Sequence, residues 1–466
     1  MKETIIFFLT IFNKIVLSYY LCYALIYIFF VIASINSMQK ERKKSLYRDN
    51  FDIVSSKYAF FISILVPCFN EENSIVQNVK SIMNMDYQDF EVIVINDGSK
   101  DSSLDTMIEN FKLIRTDLKY SLDISCKEIR GVYLSLNYPN LLVVDKLNGG
   151  KADALNAGIN VSRGDLITTI DADSILERNS LSLVVEPFVY KENVVASCGI
   201  VRVANGSTIK NGFLEKVKLQ RKYITTCQVL EYIRAFLNAR SGFSLFNGLI
   251  IISGAFGVFR KDTLVNVGGY TSNTVGEDLD LVIRIHKYYM RNNKSYSIEF
   301  VPYTVCWTEA PSDMKSLFNQ RTRWHKGLID AMFGHFKMFL NPKYKIMGLI
   351  VFPYYFIFEM FRPIMEVLGI LSVTISTFWG LLNFELAVAI VIFSILFAIS
   401  NSLTAVFCEK LFFERYEKLS DYLWLTFISS IEIFFYRQLV AFDCLYAMLR
   451  YKYKKNSWGH VSKKGW

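Results

Sequence analysis

Hydrophobic positions along this chain change their period three times, and each change marks a different kind of segment. Residues 15–35 form one apolar, aromatic-rich stretch long enough to cross a bilayer, followed by Lys40, Arg42, Lys43 and Lys44. From about residue 58 to 311 the apolar runs become short. Residues 62–66, 91–95, 141–144 and 166–170 are each bounded by turn-forming residues and separated by polar-faced helical segments. Short, largely apolar runs alternating with helices predict strands buried on both faces of a mainly parallel α/β sheet. Beyond residue 340 the runs lengthen again. Residues 346–358 and 367–382 are apolar but interrupted by Glu359, Arg362, Pro363 and Glu366, 387–407 is uninterrupted, and 423–449 contains Glu432, Arg437 and Asp443. Between the two regimes, residues 313–339 set Lys315, Arg321, Arg323, Lys326 and Lys337 against Met314, Leu317, Phe318, Met332, Phe333, Phe336 and Phe339, the pattern of an amphipathic segment at a membrane surface.

Composition and charge sharpen this picture. Of 466 residues, 52% are hydrophobic and 15% aromatic, high for a soluble enzyme of this length. The net charge of +9 is concentrated at residues 40–44 and at Lys452, Lys454, Lys455, Lys463 and Lys464. Both clusters abut membrane-length apolar runs, so they are assigned to positive-inside flanks rather than to nucleic-acid binding. That places the C-terminus and the region between residues 46 and 312 in the cytoplasm. An even number of crossings must then follow Trp324; with 346–382 taken as one interrupted stretch there are three apolar stretches, so one of them is interfacial or re-entrant. Glu359, Arg362 and Glu366 share one helix face. Two readings stand for them: ion pairing between helices, and the lining of a polar conduit. The eight cysteines are scattered without metal-ligand spacing, which predicts buried thiols in a reducing compartment and neither a zinc site nor a disulfide framework.

Candidate chemistry follows the ends of the predicted strands, where ligands of such sheets bind. Asp171 and Asp173 lie one residue apart after the fourth run. Paired carboxylates at a turn suit Mg²⁺ or Mn²⁺ on a diphosphate, although Asp also favours turns for its own hydrogen bonds. Glu277-Asp278 opens a helix, where carboxylates also complement the macrodipole. Gly150-Lys151 lacks the Ser or Thr and the upstream glycine of a P-loop.

Read in order, these motifs and their neighbours resemble one family. Ile64-Leu65-Val66-Pro67 with Asn70-Glu71-Glu72, Asn96-Asp97-Gly98-Ser99, Gly150 to Asn156, Asp171-Ala172-Asp173, Ser253-Gly254-Ala255, Gly276-Glu277-Asp278, Thr308 to Pro311 and Gln320-x-x-Arg323-Trp324 are similar to family 2 glycosyltransferases. The branch they resemble is the membrane synthases of cellulose, hyaluronan and, nearest, poly-β-1,6-N-acetylglucosamine. The resemblance implies a GT-A-like α/β fold, a mixed, mainly parallel sheet with flanking helices, joined to N- and C-terminal transmembrane or interfacial helices. The implied layout is an anchor and basic flank (1–45), a cytoplasmic GT-A domain (46–312), an interfacial segment (313–345), a transmembrane region (346–450) and a basic tail (451–466).

By the same resemblance, Asn70, Glu71, Asp97, Lys151 and Asp171 hold the nucleotide donor, and Asp171 and Asp173 serve the metal. Asp278 acts as general base with Glu277 orienting. Gln320 and Arg323 reach the diphosphate, and Trp324, Ser253 and Gly254 meet the acceptor. A lipid-anchoring role for Trp324 is the other reading. The implied function is polymerisation of a UDP-sugar, UDP-N-acetylglucosamine, into a β-linked exopolysaccharide by an inverting, metal-dependent enzyme of the plasma membrane. Its expected partners are the UDP-sugar, a growing polysaccharide or lipid acceptor, membrane lipids and a small membrane accessory subunit, with no nucleic acid. Single transfer to a lipid carrier and a catalytically silent receptor or scaffold are the alternatives. Residues 105–139, which carry Arg115, Lys119, Lys127 and Arg130, receive no assignment from the sequence.

Overall fold

The computed structural model describes residues 2–47, 60–171, 174–210, 212–378, 380 and 384–451. The chain divides into two compact units. The first comprises mainly Lys43–Gln220 and Phe246–Ala310, and the second Met1–Arg42, Arg221–Leu245 and Pro311–Val461.

The first unit is built on strands β1 (Ile62–Cys68), β2 (Phe90–Asn96), β3 (Leu113–Thr116), β4 (Ile129–Ser135), β5 (Leu141–Lys146), β6 (Leu166–Ile170), β7 (Ile175–Leu176), β8 (Val194–Val203), β9 (Thr208–Lys210), β10 (Phe213–Lys216), β11 (Phe256–Arg260) and β12 (Ser297–Thr308). Ten of them form one mixed sheet in the order β3-β4-β5-β2-β1-β6-β11-β8-β12-β7, and β9 and β10 pair separately. All four strands expected from the apolar runs are present, and they are the adjacent parallel set β5-β2-β1-β6. Their residues are almost entirely buried, which explains why the runs carry no polar alternation. The Lys151–Val161 helix contributes Ala154, Leu155 and Ile159, and the Glu277–Arg291 helix Leu281 and Ile285, to a core shared with Leu65, Ile93, Ile95, Leu142, Val144 and Ile167.

Register is what positions the site. Cys68 stands opposite Asn96, Asn96 opposite Asp145, and Leu65 opposite Thr169. The carboxyl ends of β1, β2, β5 and β6 are thus level. The turns that follow them, at Asn70-Glu71, Asp97-Gly98, Leu147–Gly150 and Asp171, all leave the same edge. The unassigned 105–139 stretch becomes the greater part of the Ser103–Phe111 helix, then β3, β4 and the loop between them.

The second unit is helical. One helix spans Lys2–Tyr47, with Thr10–Lys40 long and apolar enough to cross a membrane, and Val391–Phe412 meets the same test. The expected 423–449 span is two helices, Leu419–Ile431 and Tyr436–Leu449, bent by 57° across their break. No proline or glycine marks that break. Glu432 lies in it, fully buried between Arg234 and Arg437, with Ser402 donating to it at 2.6 Å. Arg362 pairs with Glu366 at 2.8 Å, and Tyr354 donates to Glu359 at 3.3 Å. The Arg362–Glu366 pair lies four residues apart and Glu359 is bonded to a tyrosine five residues away, so these contacts are local rather than between distant helices. The amphipathic segment forms the Met314–Gly334 helix, capped by Asp313, whose carboxylate accepts the Ser316 N–H at 2.9 Å.

Candidate active site

The level edge of the parallel strands carries two linked groups of side chains. The first shapes the turns. Asn70 adopts a left-handed conformation (φ 56°) with its N–H on Ser99 Oγ, and its Oδ1 accepts the Lys100 N–H at 2.8 Å. The Glu71 N–H donates to Ser103 Oγ at 2.9 Å. These bonds zip the turn after β1 to the turn after β2. Asp97, buried at the end of β2, accepts from Lys146 Nζ (2.8 Å), Gly149 N (2.9 Å) and Gly150 N (2.7 Å). Gly98 is left-handed (φ 66°), and a Cβ there would stand 2.8 Å from the Asn148 nitrogen, so the two turns approach closely only because this residue is glycine.

The second group is the candidate reaction centre. Lys151, the first residue of its helix, points its ammonium at Asp171 Oδ1. Asp278, in the first turn of the Glu277–Arg291 helix, accepts the Gly254 N–H on Oδ2 at 3.2 Å and the Leu279 N–H on Oδ1 at 2.8 Å. A Cβ on Gly254 would lie 3.3 Å from Lys151 Nζ and 3.5 Å from Asp278 Oδ2, which brings the Ser253-Gly254 turn, the lysine and the acid to one place. Burial pushes the Glu277 carboxyl up to about 7; Lys151 opposes that shift and Asp278 adds to it. Lys151 itself is held above its ordinary value. Burial works against its charge, but Asp171, Glu277 and Asp278 outweigh it. The centre therefore combines a cation fixed between acids, a buried carboxyl that holds its proton to near neutrality, and a second carboxylate aligned by two backbone N–H groups. Helix-dipole compensation and a chemical role coexist here.

Ala172 and Asp173 lie outside the described residues, so the expected metal ligand Asp173 has no structural account. Among the described residues no group of three acid, histidine or cysteine side chains gathers as a metal site. Asp171 still offers a hard carboxylate oxygen, one third exposed, at the strand end. That donor fits Mg²⁺ or Mn²⁺, which bind through one or two carboxylates and complete their shell with water and substrate phosphates.

Gln320, Arg323 and Trp324 share the Met314–Gly334 helix of the other unit. Gln320 Oε1 is buried without a hydrogen-bond partner. Trp324 is 43% exposed. Its indole centroid sits 4.3 Å from the guanidinium carbon of Arg321 and 6.4 Å from the Tyr232 ring. Arg321 is buried on Glu231 (2.7 Å) and Tyr436 (3.2 Å). Sequence reasoning singled out Arg323 and not this support beneath Trp324.

Two more residues escaped it. Lys146 has a completely buried side chain bound to two aspartates. His286 donates from Nε2 to the Leu249 carbonyl (2.9 Å) and accepts the Tyr296 hydroxyl on Nδ1 (2.6 Å). Burial lowers that imidazole to about 4, so it stays neutral. It fastens the helix bearing Glu277-Asp278 to the segment that leads into Ser253-Gly254. A lone histidine in a helix gives no sequence signal of this. Lys146 follows Asp145 at the end of its strand, and in the sequence that pair looks like a solvated strand end.

Residues 63–267 match Glycosyl transferase family 2, and residues 166–436, more than half of the chain, match Glycosyl transferase family group 2. The chain belongs to this glycosyl transferase family group. It is 27% identical over 312 residues to the poly-beta-1,6-N-acetyl-D-glucosamine synthase of Staphylococcus aureus (strain MSSA476), covering 66% of this chain and 62% of that one. It is 25% identical over 291 residues to the synthase of the same name from Staphylococcus epidermidis, covering 62% and 60%. The matched region thus spans less than two thirds of those relatives. Among solved structures, a mannosyltransferase from Pyrobaculum calidifontis in complex with GDP-Man and Mn²⁺ is similar over 93% of this chain and 99% of its own, with a TM-score of 0.49 and 15% identity. S. aureus TarS 1–349 in complex with UDP-GlcNAc covers 58% and 67%, with a TM-score of 0.35 and 15% identity.

Proposed function

We propose that this glycosyltransferase polymerises a UDP-sugar, UDP-N-acetylglucosamine, into a β-linked exopolysaccharide at the plasma membrane, with its sheet unit in the cytoplasm. The observation that carries the reading is the convergence of Lys151, Asp171, Glu277 and Asp278 on one strand edge beside the Gly254 turn. The name shared by the staphylococcal relatives supports the sugar and the polymer. Two membrane-length helices and the basic clusters beside apolar runs support the location.

In this reading Asn70, Glu71 and Asp97 shape the nucleoside end of the donor pocket, and Lys151 neutralises the diphosphate. Asp171, with Asp173, would hold Mg²⁺ or Mn²⁺, which when bound supplies Lewis-acid stabilisation of the leaving diphosphate. An acceptor hydroxyl oxygen attacks the anomeric carbon from the face opposite UDP. The C–O bond to the diphosphate breaks, its electron pair leaves with UDP, and configuration inverts. The hydroxyl proton passes to Asp278, which Gly254 N–H and Leu279 N–H keep oriented. Glu277, protonated up to near neutrality, limits the negative charge beside the base. By the family resemblance alone, Gln320 and Arg323 would serve the diphosphate, and Ser253, Gly254 and Trp324 the acceptor sugar.

The test is full-length protein in nanodiscs offered a panel of UDP-sugars with Mg²⁺ or Mn²⁺, followed by product sizing. UDP release with UDP-N-acetylglucosamine and long products is expected. Single-sugar products would replace polymerisation by one-step transfer, and UDP release from no member of the panel would end the enzyme assignment.

A further inference from the structure

Lys146 is a buried cation that the proposed mechanism leaves unused. It closes β5, and its side chain has no solvent exposure. Its ammonium donates to Asp97 Oδ1 at 2.8 Å and the Leu147 carbonyl at 2.6 Å, and pairs with Asp153 Oδ1 at 2.5 Å. Three N–H bonds are all an ammonium has, so Lys146 is fully committed within the protein. Each aspartate continues the network. Asp97 accepts the N–H groups of Gly149 and Gly150, the two residues before Lys151. Asp153, in the first turn of the Lys151–Val161 helix, accepts the Lys127 N–H on both oxygens (3.0 and 3.2 Å).

The β3–β4 loop, which carries Ile124 and Lys127, makes two further contacts, one with the turn and one with the far end of the Lys151–Val161 helix. Lys127 Nζ donates to the Asn148 carbonyl at 2.5 Å, and Asn160 exchanges two bonds with Ile124. The β3–β4 loop is thereby tied to both ends of the turn that delivers Lys151. A buried cation between two carboxylates costs desolvation that only this geometry offsets; a stripped-down apolar strand end would hold the sheet without it.

We propose that Lys146 is a positioning residue for donor binding. By holding Asp97 and Asp153 together it fixes the Gly149-Gly150 turn, and with it the place of Lys151 opposite Asp171. The β3–β4 loop braces that turn from outside. The role rests on the proposed donor reading, but its structural half does not.

Lys146→Met in the full-length protein tests both halves. The geometry predicts faster amide hydrogen exchange at Gly149 and Gly150, with or without nucleotide. It also predicts UDP affinity weakened roughly ten- to a hundredfold, as displaced binding groups produce. Donor KM should rise with kcat nearly unchanged, because Asp278 keeps its partners. A merely structural lysine would lower thermal stability and leave KM where it was. Where the single variant fails to fold, Lys146→Met with Asp153→Asn removes one stranded carboxylate and keeps the net charge, and the same exchange and affinity changes are expected of it. A folded variant, single or double, with wild-type exchange at Gly149-Gly150 or wild-type UDP affinity overturns the proposal. Faster exchange in a protein whose wild type binds no UDP would instead sustain the bracing role while removing the donor function it serves.

Discussion

The strand edge of the sheet unit and the helical unit hold their charged side chains differently. In the sheet unit, Lys151, Asp171, Glu277 and Asp278 meet at a strand edge where Asp171 stays one third exposed and burial raises the Glu277 carboxyl to about 7. In the helical unit, charged groups pair off internally. Glu432 lies between Arg234 and Arg437, Arg321 binds Glu231 and Tyr436, Arg362 binds Glu366, and Thr322 donates to Asp443 at 3.0 Å. Charges left competing with one another mark a place built to receive further charge. Charges held chiefly by one another mark a clamp. The same residue types therefore predict chemistry in one unit and cohesion in the other, and the contrast can be broken by substitution.

The largest effect should come from the clamp. Glu432→Gln leaves two buried guanidinium groups without their counter-ion, and removing one partner of a buried pair costs about 3–5 kcal/mol. Thermal unfolding of the full-length protein in detergent should drop markedly, whereas a small change would mean the network contributes little.

A smaller, pH-dependent effect belongs to Glu277. Its carboxyl is raised from 4.5 to about 7 in the folded protein. Between those values the folded state binds more protons than the unfolded one, so stability falls as pH rises through that window, by up to roughly 3 kcal/mol. Glu277→Gln cannot ionise and should flatten the decline. The two proteins should melt alike near pH 5, with the variant relatively more stable at pH 8. Parallel melting curves across that range would show that Glu277 ionises normally.

Trp324 sharpens the comparison, because it is the exposed group of an otherwise paired cluster. Trp324→Ala should lose on the order of 1–3 kcal/mol of stacking, by analogy with bases on aromatic rings. The expected result is shorter polymers with unchanged UDP affinity. Unchanged length would return Trp324 to a lipid-anchoring role.

The sheet unit was the more legible of the two. Its four central strands are buried on both faces, so their sequences are largely apolar and bounded by turns, a signal that needs no tertiary information. The motif turns were visible for the same reason, since each follows a strand end. Lys146 was not read, because a lysine closing a strand looks like a solvated end until Asp97 and Asp153, 49 and 7 residues away, are brought to it. The helical unit gave its lengths but not its partners. Nothing in the linear pattern assigns Arg221–Leu245 to the same unit as the C-terminal helices, and the bend after Ile431 has neither proline nor glycine to announce it. Glu432 read as an interruption of a span, whereas its contacts make it the anchor of the break.

The central claim is that Asp278 takes the acceptor's proton in a sugar-transfer centre. Asp278→Asn keeps the shape and a carbonyl oxygen for the Gly254 N–H but removes the proton acceptor. Single-turnover transfer from UDP-N-acetylglucosamine, measured with UDP affinity on the same nanodisc preparation, decides the matter. The account predicts a rate lower by roughly 10²–10⁴-fold with UDP binding retained. Near-wild-type transfer by the variant would contradict it and place the base elsewhere.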